Sequence, residues 1–404
     1  VKPMIVLVVN AGSSTLKSQL VDTETKACLM KSNAEKITTP GTFMNVSFPP
    51  SSEKHHFDME GASHADCLDK LLEVIFSAEE SPVHSLADID AVGNRIVSGG
   101  EFFDRSAVVD ADVLEKVKIC GELAPLHNPP AASCIEYLMK AAPDTPQVVV
   151  FDTAFHIAGI PPKAYRYALP EKYYTEYKIR RYGAHGTSHK YAAETAAALL
   201  GRDVADLNII TCHLGSGGSV SAVQGGRCVD TTMGLTPLEG IMMGTRTGSM
   251  DPSIVTYIMR REDATPDDMD ALMNKKSGML GVSGFSNDCR ELEQAAAEGN
   301  ENAKLALEMY VYTVQKAIGQ FMAVLPGTDA IVFTAGIGEN SEEMRRDICE
   351  AIAHLGVKID AEKNKGRGID RVISTDDSPV KALVISADEE MCIARETEEL
   401  VAAL

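Results

Sequence analysis

Two stretches far apart in this chain follow one plan. Residues 8–21 read VVNAGSSTLKSQLV and residues 211–224 read TCHLGSGGSVSAVQ. Each is an apolar run, a turn of small Gly and Ser residues, and a returning strand pattern, which predicts a β-hairpin in each case. In each half the hairpin is joined later by strand–loop–helix patterns, QVVVF (147–151) in the first half and AIVFTAGIGENSEEMRRDICEAIAHLG (330–356) in the second. The repetition predicts an internal duplication, two copies of one α/β unit, and between two such units lies a preferred place for a small ligand.

The length permits this. At 404 residues the chain exceeds one ordinary core and predicts two domains. Apolar residues make up 45% and charged residues 24%, the balance of a soluble globular protein. No apolar run is long enough to span a bilayer, and the opening VKPMIVLVVNAG reads as a strand rather than a signal peptide. A formal charge of −20 argues against nucleic acid or an anionic membrane as partner. An anionic substrate then needs locally clustered Arg and Lys. The nine cysteines are odd in number, none pair as CxxC, and most sit in apolar surroundings. They read as buried free thiols in a reducing compartment, and the expected location is cytoplasmic.

Elsewhere the periodicity predicts helices over 67–80, 111–124, 124–142 and 302–325, and a terminal strand running into a helix (ALVISADEEMCIARETEELVAAL). The polar region 25–66 reads as strands and loops on a surface, and 161–174, rich in Pro and Tyr, as a connecting segment.

Candidate chemistry gathers in a few places. In NAGSST (10–15), Gly permits the positive φ of a tight turn, and backbone N–H groups with Ser hydroxyls can cradle phosphate oxygens, with Lys17 as a nearby charge. HLGSGGS (213–219) has the same properties plus a histidine. TAGIGENS (334–341) reads as a glycine loop before a helix that Asn340 or Ser341 caps. Neither GxxxxGK[ST] nor GxGxxG occurs. Arg95 and Arg246 stand among small and apolar residues, where a guanidinium needs an anion. That anion is an internal carboxylate, with Glu101 or Asp251 the candidates, or it is a substrate. Asp152 follows strand QVVVF, beyond the carboxyl end where α/β folds bind ligands. His127, His185 and His189, taken singly, read as structural.

VNAGSSTLKSQL, VGNRIVSGGE, APLHNPP, FDTAFH, RRYGAHGTSHKY, HLGSGGSVSAV, VDTTMGLTPLEGIMMGTRTG, FTAGIGENS and ADEEMCIARETEEL, in this order along essentially the whole chain, resemble the signature blocks of the acetate kinase family. The resemblance implies two duplicated actin-like (ribonuclease H-like) α/β domains with a nucleotide cleft between them. The domains are expected at 1–152, with the C-terminal helix 387–404 packing back on it, and at 153–386, the nucleotide-binding and dimerisation domain. It implies Mg²⁺-dependent, reversible phosphoryl transfer from ATP to acetate, giving acetyl phosphate and ADP, by a cytoplasmic homodimer. Mn²⁺ is the alternative metal.

Residue by residue, the resemblance implies Asn10 and Glu389 as metal residues and Lys17 against nucleotide phosphate. Arg95 would bind the carboxylate or acetyl phosphate, and Val97, Leu126 and Pro237 would line the acyl pocket. Asp152 would be the essential carboxylate, while His185 and Arg246 would stabilise the transferring phosphoryl group. His213, Leu214, Gly215, Ser216 and Gly217, then Asp288, Cys289 and Arg290, then Gly336, Ile337, Gly338, Glu339 and Asn340 would bind the nucleotide. The chain departs from the usual blocks at Asn94, Ser98, Ser216 and Ser249, and IAGIPP runs one residue long; none of these removes a residue with a central role. Two other readings remain open at this point: a propionate or other short-chain acyl kinase, and a non-catalytic actin-like nucleotide-binding module.

Overall fold

The computed structural model describes residues 3–386 and 388–404. Contacts divide the chain into two units, Val1–Ile157 with Asp388–Leu404, and Ala158–Ala387.

In the first unit, Ile5–Ala11 (β1) and Thr15–Asp22 (β2) form the first hairpin, and Ala27–Glu35 (β3), Phe43–Ser47 (β4) and His55–Asp58 (β5) extend it antiparallel. Ala91–Ile96 (β6) joins β1 on its other side in parallel, followed by the two-residue Ala107–Val108 (β7) and the parallel strand Gln147–Phe151 (β8). The sheet order is β5-β4-β3-β2-β1-β6-β8-β7. Alternation along β1 sends Leu7 and Val9 to one face, where they join Leu68 and Leu71 of helix His64–Ser77 and Ile135 and Leu138 of helix Asn128–Ala141. Val6 and Val8 face the other way, against Met391, Ile393 and Ala394 of helix Glu389–Val401. The last helix of the chain therefore completes the core of the first unit.

The second unit repeats the plan. Asn208–Leu214 (β9), Gly218–Gln224 (β10) and Arg227–Thr231 (β11) run antiparallel, and Ala330–Thr334 (β12) pairs parallel with β9. With Arg371–Val372 (β13) and Lys381–Val384 (β14), the order is β11-β10-β9-β12-β14-β13. Three antiparallel strands followed by two parallel ones occur in both sheets, β3-β2-β1-β6-β8 and β11-β10-β9-β12-β14. One face packs on helix Glu301–Val324 through Tyr310, Val314, Ile318 and Phe321. On the other, helix Gly186–Leu199 lies on β9 and β12 and buries Ala192, Ala193, Ala196 and Ala197, small residues that allow close approach.

Several expectations change. Region 25–66 is no surface appendage: Met30, Ala34, Met44 and Val46 are wholly buried, because β3 and β4 turn one face to the core. The helix expected over 111–124 ends at Ile119 and tightens into a single 3₁₀ turn, Cys120–Glu122. Segment 161–174 carries two short helices, Pro162–Tyr165 and Lys172–Thr175. The stretch 334–341 is not a loop, since Ala335–Asn340 is itself helical, entered through Ala335 at φ 65°. Ser341 then caps the next helix, Glu342–Ala351, accepting from Met344 N–H.

Candidate active site

The first unit assembles a cluster at the carboxyl ends of its parallel strands. Arg95 projects from β6, and Asp152 directly follows β8. The guanidinium forks onto both carboxylate oxygens, Nε to Oδ1 at 3.0 Å and Nη2 to Oδ2 at 2.7 Å. Asn10, on β1, accepts from Arg95 Nη1 at 3.5 Å, and Glu389, in the first turn of the last helix, lies 3.9 Å from Arg95 Nε. Burial opposes the charge on Arg95, but Asp152 and Glu389 outweigh it and hold the guanidinium protonated. Burial pushes the Glu389 carboxyl up, against the pull of Arg95 and with the help of Asp152. The partner of Arg95 is thus Asp152, not Glu101. Lys17 is exposed and stands opposite Asn10 across the β1–β2 pair. Val97 is half-buried just past β6, whereas Leu126 is 57% exposed.

In the second unit a group of histidines meets an arginine. The chain enters helix Gly186–Leu199 through His185 in the left-handed region, φ 60° and ψ 22°, a conformation uncommon outside glycine. Its ring stacks on His213 of β9 with centroids 4.0 Å apart, and its Nδ1 lies 2.8 Å from Ser219 Oγ. His213 Nδ1 in turn meets Ser188 Oγ at 2.8 Å. Arg246 donates through Nη1 to the Pro237 carbonyl at 2.9 Å and to Met243 Sδ at 3.8 Å. No carboxylate, Asp251 included, forms an ion pair with it among the described residues, and burial pushes its guanidinium down. A Cβ placed on Gly217 would sit 3.4 Å from Arg246 Nη1 and 3.6 Å from His185 Nε2. The hairpin tip, the histidine and the arginine therefore share one spot.

That tip also explains its glycines differently from the sequence reading. Neither Gly12, Gly215 nor Gly217 takes a positive φ. Crowding acts instead: a Cβ on Gly12 would lie 2.7 Å from Thr15 Oγ1, forcing a shift, and one on Gly215 would press on the Gly217 carbonyl at 3.3 Å.

Beside the tip a cleft of about 560 Å³ is lined by Gly215, Ser216, Asp288, Cys289, Arg290, Gly336, Ile337 and Asn340, within the range of small-molecule sites. Four of the expected nucleotide residues contribute otherwise. Leu214 is fully buried core, and His213 is buried under the stack with His185. Gly338 and Glu339 offer backbone carbonyls to Arg345, a wholly buried guanidinium that also donates to Asn364 Oδ1 at 2.8 Å and to the Asn364 carbonyl at 2.6 Å. Burial, with Arg371 adding to it, pushes Arg345 down to about 10. Asp288 is occupied locally, forking onto Arg290 at 2.6 and 3.1 Å.

Residues 5–395 match the acetokinase family. The chain belongs to the acetokinase family. Like other members of this family it is a kinase, and its fold is their duplicated actin-like α/β fold. It is 49% identical over 399 residues to the acetate kinase of Methanosarcina barkeri, covering 98% of this chain and 97% of that protein. Identity to the acetate kinase of Thermotoga maritima is 49% over 401 residues, covering 98% and 99%. The crystal structure of Porphyromonas gingivalis acetate kinase superposes with a TM-score of 0.95 at 40% identity, covering 98% of this chain and all of that one. A propionate kinase from Francisella tularensis superposes with 0.91, also at 40% identity and with the same coverage. No helix among the described residues is long and apolar enough to cross a membrane.

Sequence reasoning on this family member missed Arg345, Asn287, Glu293 and Arg367, the last three of which also line the cleft. The arginine was legible in principle: RRDICEA places Arg345 one helical turn before Cys349, on the buried stripe. It also missed Thr211, which lies wholly buried between Ile210 and Cys212 in β9.

Proposed function

We propose that this chain transfers the γ-phosphoryl group of ATP to acetate, reversibly, giving ADP and acetyl phosphate. The observation that carries the reading is Arg246, a partly buried guanidinium with no carboxylate in ion-pair reach among the described residues. Such a group, next to His185 at a glycine tip beside a cleft, is what a transferring phosphoryl requires. Acetate is already a nucleophile at neutral pH, so the barrier lies in positioning two anions and in spreading charge over phosphoryl oxygens. Arg246 and His185 supply donors to those oxygens without removing a proton from the acceptor.

In the first unit Asp152 accepts from Nε and Nη2 of Arg95, leaving Nη1 turned to Asn10 and available to a carboxylate substrate. Val97, Leu126 and Pro237 remain the proposed walls for the acyl methyl, and Lys17 the proposed contact to phosphate. Nucleotide occupies the cleft at Gly215–Gly217, Asp288–Arg290 and Gly336–Asn340. The oxygens of Asn10 and Glu389, grouped around Arg95, are hard donors of the kind Mg²⁺ accepts when it keeps several waters and takes its other ligands from substrate phosphates. Mg²⁺ there, or Mn²⁺ on the same donors, would neutralise phosphate charge.

The test is hydroxamate formation from acetate and ATP. Arg246→Ala is expected to lose on the order of 10³-fold or more in turnover, the scale of an arginine acting on a transferring phosphoryl group, with its circular dichroism unchanged. Near-native turnover would remove Arg246 from the reaction.

The likeness to a propionate kinase keeps the acceptor open to one more carbon, because a methylene in an apolar pocket is worth only about 1–3 kcal/mol; kcat/KM for acetate against propionate ranks the two. Ile254, Tyr257, Leu305, Met309 and Tyr312, exposed in the second unit, support the homodimer, and nine free thiols support a reducing, cytoplasmic setting.

A further inference from the structure

Behind His185 runs a buried chain of hydrogen bonds that the reaction does not touch. Ser219 Oγ lies 2.8 Å from His185 Nδ1 and 2.7 Å from His189 Nε2, and His189 Nδ1 lies 2.7 Å from Thr211 Oγ1. Thr211, His189 and Ser219 are all wholly buried. A hydroxyl has one proton, so Ser219 donates to one imidazole and accepts from the other. With both rings neutral, the chain has two senses.

In the first, Thr211 donates to His189 Nδ1, His189 Nε2–H donates to Ser219, and Ser219 donates to His185 Nδ1. Each of these three protons has an acceptor, and the neutral His185 then carries its ring proton on Nε2. In the reverse sense His185 Nδ1–H donates to Ser219, Ser219 to His189 Nε2, and His189 Nδ1–H to Thr211. The Thr211 hydroxyl then has no acceptor, since it makes no other hydrogen bond among the described residues. A buried donor without an acceptor is costly, so the first sense prevails.

The geometry points to Thr211 and Ser219 as positioning residues that, through His189, hold His185 in the Nε2–H tautomer with that proton aimed at the Gly217 hairpin tip. Nε2 is the nitrogen 3.6 Å from the position of a Gly217 Cβ, where Arg246 Nη1 also arrives. The relay also resists forming the imidazolium, because a proton on Nδ1 would reverse the chain and strand Thr211. The groups facing His185 act beside it: His213 stacks from β9, Arg246 approaches from the segment before the helices of the second unit's surface, and His189 comes from its own helix. The catalytic consequence rests on the proposed role of His185 at the phosphoryl group, whereas the tautomer itself does not.

The experiment is two-bond ¹H–¹⁵N spectroscopy of the full chain labelled with ¹⁵N-histidine, with kinetics on the same samples. The native His185 is expected to show protonated Nε2 and bare Nδ1. Thr211→Val, nearly isosteric, should mix the tautomers, lower kcat about three- to tenfold at unchanged KM for ATP and acetate, and raise the acid-side apparent pKa of kcat. Thr211→Ser should restore all three. Ser219→Ala asks the same question if the valine variant does not fold. A His185 spectrum that both Thr211→Val and Ser219→Ala leave unchanged overturns the relay. A changed spectrum with native turnover in His185→Gln leaves the relay standing and removes His185 from the proposed reaction.

Discussion

Arg95 and Arg246 are both half-buried guanidinium groups among small residues, yet they are held in opposite ways. Arg95 is locked by a two-point fork to Asp152, a carboxylate only 3% exposed. Arg246 is steadied by a carbonyl and a thioether, neutral partners that leave its charge uncompensated. The difference assigns Asp152 the work of orientation: removing one acceptor oxygen should misdirect Arg95 rather than abolish a proton transfer. Asp152→Asn is expected to raise the KM for acetate on the order of tenfold to a hundredfold, each decade being about 1.4 kcal/mol, and to lower Tm, since breaking a buried pair strands its partner. Steady-state kinetics at neutral pH with a thermal melt checks both, and an unchanged KM for acetate would argue that Arg95 meets another anion. The sequence marked Arg95 and Asp152 separately, by apolar context and by the end of a strand. Their pairing was not legible, because 57 residues and a parallel crossover separate them.

The elements show a similar division between what periodicity reveals and what it hides. Both Gly/Ser hairpins and the strands β1, β6, β8, β9 and β12 were readable, since a buried parallel strand is a near-continuous apolar run. Helices Ser253–Glu262 and Pro266–Lys275 were not read at all: the first buries no residue and the second only Met269, so they carry no core-facing stripe. The helix at Ala335–Asn340 was hidden by its two glycines, which look like a loop until Ala335 takes its left-handed turn. A different glycine sets the closeness of β6 to the last helix. A Cβ on Gly93 would fall 2.6 Å from Thr397 Oγ1 and 2.7 Å from Ile393 Cγ2, both branched and buried. Gly93→Ala should therefore push away the helix that carries Glu389, costing about 1–3 kcal/mol as overpacking does. Calorimetry should record a Tm lower by several degrees, with activity falling alongside; an unchanged Tm would mean the helix moves freely.

Across the whole molecule, nine thiols are free and only Cys28 is not buried. Burial pushes Cys120 up to about 11, and Cys134 and Cys349 up to about 12. Because the fold favours their neutral form, their contribution to stability is complete below the ordinary thiol value near 9 and is lost as pH rises through 11–12. A thiol reagent at pH 8 should find one reactive cysteine, Cys28, in the native protein and nine after denaturation; several fast thiols in the native state would contradict the burial. One more property follows from the way the first sheet obtains its second covering. Val6, Val8, Val148 and Val150 wait for Met391, Ile393 and Ala394, which the ribosome delivers only after the whole second unit has been made. A nascent chain must therefore carry these strands half-bare while the second unit is made, so chaperone dependence during synthesis should fall on the first unit.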